Sequence, residues 1–411
     1  MDLLFIFLIL ENIFERFLPI LSYTDEVIAL ICLGLLVIKL PRARIHRYYL
    51  KILLWFLGVL LIGLFSTFIY LVQTNPIAIL KDMLAVSKFF IVYIYSAVFM
   101  SERNADRIVR HINIFSKIYI PVLFVFSVVN QFFNIGMDSG YRGPIKTFAF
   151  LYSHSTFMVA SVVVVCSLLI AQGFRKNLNI LICIAIVLAF SMRSKAFIYM
   201  ASILILMVLI RKQGEVNTVI IFTPRIRRRI YISIIVIAIS AYFIARAKIR
   251  SYLAWGLGAA RPALYIIGFK ILRDFFPLGS GFASFASSIS GAYYSPLYFK
   301  YGINNVSGLR QSEGYEYMSD TFWPYIIAQF GVLGTVMYIL ALLYVFKDII
   351  RMYKKDASSL LAAIALFIYI IAGCFVESML TNATIVLVAL TLGYYLRIIA
   401  HTSSINHVVE K

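Results

Sequence analysis

Apolar residues in this chain run in long blocks broken by short polar punctuation. Stretches near 3–21, 26–39, 52–72, 83–100, 118–133 and 148–171 are followed by others near 178–191, 196–210, 230–245, 321–346, 358–376 and 383–399. A membrane-crossing helix needs about 20 mostly apolar residues, and tilt or close packing tolerates fewer. The pattern therefore predicts about 12 transmembrane helices. The first block, MDLLFIFLIL, has no basic flank and no small-residue cleavage site behind it, so it reads as a membrane segment rather than a removed signal. There is no repeat, heptad or low-complexity tract, and no linker that would divide 1–411 into two domains.

Charge orders these blocks across the bilayer. With the N-terminus inside, the inner loops hold 23 Lys and Arg, whereas the short outer loops hold five: Lys81, Arg142, Lys146, Arg193 and Lys195. Cytoplasmic loops carry the excess of positive charge, so both termini are expected inside. The same rule resolves 178–210, which could be one long helix or two short ones. Basic loops flank it on both sides, so the chain crosses twice and turns outside at Ser191–Lys195. One connection stands apart. Residues 247–320 are 74 positions long and lie outside in this scheme, and long loops are disproportionately functional.

Composition agrees with this picture and removes other classes. The 411 residues are 62% apolar and 14% charged, far from a soluble domain. The net charge of +20 reports topology rather than a nucleic-acid partner. Cys32, Cys166, Cys183 and Cys374 all lie in apolar runs without paired spacing, so neither a disulfide framework nor a metal site is expected. The expectation is an all-α polytopic membrane protein with a long extracytoplasmic loop containing short amphipathic helices.

The outer segments gather cations. Arg193 and Lys195 sit in a tight turn at the membrane boundary, where cations are costly unless they face water or an anion. Arg142 and Lys146 belong to a neighbouring outer loop. In the long loop, Arg261 to Phe276 is bounded by Pro262 and Pro277 and reads as a helix. Its stripe of Leu264, Ile267, Ile271 and Phe275 predicts an amphipathic helix on the membrane surface, with Lys270 and Arg273 either snorkelling to headgroups or holding a ligand. Guanidinium and ammonium groups collected on one face suit a phosphate. Outer carboxylates are few: Asp138, Asp274, Glu313, Glu316, Asp320 and Glu377 supplement those near the first outer turn and Asp82. His154, the one outer histidine, reads as a hydrogen-bonded structural residue rather than a base, so acid–base chemistry falls to a carboxylate.

Four motifs occur in order between 191 and 334: the SMRSK turn, ARPALY, FPLGSGFASF and SDTFWPYIIAQFGVLG. In these the chain resembles the O-antigen polymerase and O-antigen ligase superfamily of bacterial inner-membrane glycan enzymes. The resemblance implies a glycosyltransferase that polymerises undecaprenyl-diphosphate-linked repeat units of O-antigen, capsule or exopolysaccharide without metal or cofactor. Its alternatives are a ligase-type transferase and, outside the superfamily, a lipid-linked oligosaccharide flippase. It implies a lipid-linked glycan donor and acceptor as partners within the lipid bilayer, a chain-length regulator as a further partner, and no nucleic acid. Arg193 and Arg261 match basic residues of the ligase branch. Asp320 stands where that branch has a histidine, eleven residues before Gly331, a departure that argues against a lipid-A core ligase. Catalytic roles are thus expected for Asp320, Arg261 and Arg193, and substrate contacts for Lys195, Arg273, Lys270, Arg142, Glu313, Glu316 and His154.

Reporter fusions test the topology. Fusions ending within 247–320 are expected to be active outside and those within 211–229 inside, because six positive charges in the latter oppose translocation. The reverse pattern overturns the arrangement.

Overall fold

In hydrocarbon, backbone N–H and C=O groups have no water to bond, so apolar segments close their hydrogen bonds internally as helices. The computed structural model of the chain follows this rule. It describes residues 1–43, 45–211, 228–229, 231–233, 235–237, 239, 246, 250–252, 254–315, 317–354 and 356–401. The predicted stretch 230–245 and most of the basic segment 211–229 fall largely outside the described residues, and Glu316 does so entirely.

Helices α1 (Asp2–Glu15), α2 (Thr24–Lys39), α3 (Arg47–Tyr70), α4 (Pro76–Phe99) and α5 (Ala105–Phe132) lead into a small antiparallel ribbon of β1 (Asp138–Arg142) and β2 (Ile145–Phe148). Then come α6 (Ser155–Ala171), α7 (Leu178–Phe190) and α8 (Ser194–Arg211). The loop region supplies α9 (Ala260–Asp274) and the single-turn helices α10 (Ser288–Ala292) and α11 (Pro296–Lys300). The chain returns through α12 (Trp323–Tyr353), α13 (Ala357–Gly373) and α14 (Thr384–Leu390), which runs on through a π-helical turn, Thr391–Tyr395. Among the described residues, five helical segments are long and apolar enough to cross a membrane: Pro19–Arg42, Arg47–Tyr70, Ala105–Phe132, Trp323–Tyr353 and Thr384–His401. The protein is an all-α membrane protein.

Its core is built around α4, in which residues 85–94 are continuously buried. The most extensive helix pairing is α3 along α12, and α13 packs between α6 and α8. The break in α12 matters most for the loop. Gly331 has φ 63° and ψ −164°, outside the helical region, so the hydrogen-bond ladder fails there. The groups it frees are taken by residues 277–287. Ser280 N donates to Ala328 O at 2.8 Å and Gly281 N to Gln329 O at 2.9 Å, while Leu333 N donates to Pro277 O at 3.4 Å. Further along, Phe282 N donates to Thr67 Oγ1 at 2.8 Å and Ala283 N to Asp82 Oδ2 at 2.7 Å. Gln329 Nε2 donates to Phe285 O at 2.8 Å.

One sequence-based expectation changes here, that of the α9 stripe, and one motif gains its setting. FPLGSGFASF is a buried plug between α3, α4 and α12, and its glycines serve close packing of the backbone. A Cβ on Gly279 would lie 2.6 Å from Gln329 O, and one on Gly281 would lie 2.5 Å from Thr67 Oγ1. The apolar stripe of α9 is also turned toward protein. Leu264, Ile267 and Ile271 are buried, Gly268 meets Pro324, and Phe275 packs edge-to-face on Tyr70 with ring centres 4.8 Å apart. The exposed face of α9 instead presents Ile266 and Phe269.

Gly279→Ala and Gly331→Ala each force a side chain onto a positive φ and into backbone. Each is expected to cost about 2–5 kcal/mol. Gly34, whose Cβ direction is open, serves as control. Thermal unfolding in detergent should show a large loss for the first two and none for Gly34→Ala.

Candidate functional site

The segments that meet at the site come from six separate parts of the chain. At the turn between α7 and α8, Met192 takes φ 52°, which reverses the chain within a few residues. The Met192 carbonyl accepts from Arg142 Nη1 at 2.9 Å, and Arg142 ends β1. Arg193 extends from the same turn toward the start of α6. Its Nε donates to Ser155 Oγ at 2.6 Å, and its Nη2 lies 2.6 Å from His154 Nε2. Two residues on, Lys195 is 2% exposed and its Nζ reaches Glu377 Oε1 at 2.5 Å, beneath the Tyr369 ring.

The long loop completes the group. Arg261, at the start of α9, places Nη2 3.1 Å from Asp320 Oδ2 and Nη1 3.3 Å from Tyr252 Oη, while its buried Nε has no partner among the described residues. The loop end is clasped to the turn after α13. Ser378 Oγ donates to Ser319 O at 2.7 Å, and Phe322 N donates to Cys374 O at 3.2 Å. This clasp brings Asp320 and Glu377 to one place. Asp320 does not cap the following helix, which begins at Trp323 behind an N-cap Phe322 with no side-chain bond.

The charges act on one another. Burial lowers the Arg193 pKa to about 10, with Arg142 and Arg261 adding to the effect and Glu377 and Asp320 opposing it. Burial raises the Asp320 pKa above the usual carboxylate range, and the Arg261 guanidinium draws it part of the way back. A more basic carboxylate is better suited to accept a proton. Burial, then Arg193, Lys195 and Arg142, lower the His154 pKa to about 4. A guanidinium has donors alone, so the contact to Arg193 requires a lone pair on Nε2 and a neutral ring.

The group therefore holds Arg142, Arg193, Lys195 and Arg261 against Asp320 and Glu377. Lys195 and Arg261 each have a carboxylate within an ion-pair distance. Arg142 and Arg193 contact a carbonyl, a hydroxyl and an imidazole instead, all neutral. The positive excess sits on these two.

Among the residues expected in the site, Arg142, His154, Arg193, Lys195, Arg261 and Asp320 thus converge. Three others are engaged elsewhere. Lys270 lies over the Tyr301 ring, Arg273 pairs with Asp274, and Glu313 accepts from Gly308 N at 2.5 Å and from Arg310 Nη1 at 2.9 Å, closing its own local turn. Glu377 was visible as an outer carboxylate but not assigned to the site. The signal available was its position just after an apolar stretch, where an acid needs a partner. Among the described residues no cluster of three or more His, Cys, Asp or Glu could hold a metal ion. No protein-family model matches the chain, and no curated protein matches it.

A pH prediction follows from His154. Its pKa is about 4 when folded, against 6.5 for an ordinary histidine. Between these values the unfolded chain binds more protons, so stability is unaffected above about pH 6.5 and falls as pH drops toward 4. His154→Gln keeps an acceptor for Arg193 without a titrating ring. Thermal unfolding at about pH 7 and about pH 4.5 should show a smaller acid loss for this variant. Equal losses would remove His154 as their source.

Proposed function

We propose that the protein is a membrane glycosyltransferase that polymerises oligosaccharide repeat units carried on undecaprenyl diphosphate. In this reading the chain crosses the bilayer about twelve times with both termini in the cytoplasm, and residues 247–320 work on the outer face of the bacterial inner membrane. One observation carries the reading. Among the described residues, Arg142 and Arg193 stand without carboxylate partners beside the Arg261–Asp320 and Lys195–Glu377 pairs, in a group assembled from separate segments. A lipid diphosphate diester is an anion that such uncompensated guanidinium groups hold well, through forked contacts.

The chemistry then runs as follows. A sugar hydroxyl of the acceptor attacks the anomeric carbon of the donor glycan, the bond to the diphosphate oxygen breaks, and undecaprenyl diphosphate leaves with the bonding electron pair. Charge accumulates on the leaving diphosphate, where Arg193 and Arg142 stabilise it. Prepositioned donors of this kind typically contribute about 3–4 kcal/mol each. Asp320 takes the hydroxyl proton, and Arg261 orients its carboxylate. Lys195 and Glu377 neutralise each other and hold the floor of the site, which leaves the positive excess on Arg142 and Arg193. The four sequence motifs support the same class, and a chain-length regulator is a natural partner for a polymerase of this kind.

Purified protein supplied with lipid-linked repeat units tests this directly. The wild type should form polymer. Arg193→Ala and Arg261→Ala should abolish it at normal membrane levels, and Lys at either position should restore it in part. Asp320→Asn should retain donor binding and lower turnover by about 10²–10⁴. Full-length polymer from both alanine variants would reduce the arginines to helix anchors. Transfer of pre-formed polymer to a different acceptor would mark a ligase instead.

A further inference from the structure

Tyr152, two residues before His154, lines a separate cleft of the opposite sign. Helices α1, α6 and the start of α14 line a narrow, partly open cleft of about 20 Å³, with polar walls of Glu11, Asn12, Glu15, Tyr152, Ser161 and Thr384. Nearly all of these groups are satisfied within the protein. Tyr152 Oη and Ser161 Oγ donate to Ile9 O at 2.8 and 3.1 Å, and Thr384 Oγ1 donates to Asn382 Oδ1 at 2.8 Å. Asn12 Nδ2 donates to Glu15 Oε2 at 2.9 Å, and Asn12 Oδ1 accepts from Ser153 N at 2.9 Å and from Ser153 Oγ at 2.8 Å.

Glu11 is the exception. The residue is 7% exposed, lines the cleft, and among the described residues no donor reaches its carboxylate. The nearby Lys88 is already neutralised by Asp25, both side chains being 5% exposed or less. Arg16 is directed to Leu151 O at 2.9 Å. Glu11, Glu15 and Asp25 therefore share one lysine that is already paired. In a chain with net charge +20 this is a place of local negative excess.

A buried carboxylate without donors is costly, and acids at membrane depth ordinarily mark a ligand or a relay. Glu11 lacks N–H donors and Glu15 has an oxygen to spare. A divalent metal would ask for more ligands than the cleft offers. We propose that the cleft binds a primary ammonium group, with the Glu11 carboxylate as its principal acceptor and Glu15 at the rim. The ammonium brings both the missing charge and the missing donors. It can come from the headgroup of an amine-bearing phospholipid or from a small free amine.

The test uses the full chain in nanodiscs of phosphatidylglycerol, with or without phosphatidylethanolamine, and with ethylammonium or tetramethylammonium added to the former. Phosphatidylethanolamine or ethylammonium should raise the unfolding midpoint by about 2–4 °C or more. Tetramethylammonium, of equal charge but without N–H groups, should not. A response to phosphatidylethanolamine alone assigns a headgroup, and an equal response to ethylammonium assigns a free amine. Glu11→Gln should lose the response. Should that variant fail to fold, the comparison of the two ammonium ions in the wild type still decides. Equal shifts with both ions, no shift with any amine, or a full response in Glu11→Gln would overturn the proposal.

Discussion

Everything around the loop depends on an exchange of backbone hydrogen bonds at the break in α12. A helix interrupted inside a membrane protein leaves donors and acceptors that water cannot reach, and such groups must find partners in the protein. Here the partners are the amides of Ser280 and Gly281 and the carbonyl of Pro277. The plug is anchored a second time by Asp82 and Thr67, from α4 and α3. Loop and bundle thus satisfy each other. Because α9 precedes the plug and Asp320 follows it, this exchange is also what holds Arg261 opposite Asp320.

The site above it gains its character from incomplete neutralisation. Had each cation a carboxylate of its own, the group would be a set of structural ion pairs with little left for a ligand. Arg193 is instead held by Ser155 and a histidine whose burial keeps it neutral, so its position is fixed while its charge is not cancelled. Neutral hydrogen-bond partners orient a cation without consuming it. In the proposed reaction, the contrast between Arg193 and Arg261 divides the work between an anion-binding group and a positioning group.

Much of this was legible in the chain, and the exceptions have physical causes. Helix positions followed from apolar run length, because hydrocarbon imposes that requirement locally. Arg142, Arg193, Lys195, Arg261 and Asp320 stood out because charge at a membrane boundary is costly enough to need a reason. The setting of FPLGSGFASF was not legible because glycine signals close approach of the backbone without saying to what, and here the neighbours are α12 and α3. The α9 stripe was assigned to lipid because periodicity identifies an apolar face but not its partner. Glu377 escaped because its pairing with Lys195 spans 182 residues, a separation no local pattern reports.

The clasp between Ser378 and Ser319 has a consequence for biogenesis. Site residues are drawn from positions 142 through 377, and the last of them emerges from the ribosome only after α13 has been made. Until that point Lys195 has no counter-charge and the Asp320 segment has nothing to close against. In a nascent chain the cationic turn at Ser191–Lys195 is therefore made well before the segment that neutralises it. The group is complete only once the segment carrying Glu377 has docked, with Ser378 clasped to Ser319 and Asp320 beside it.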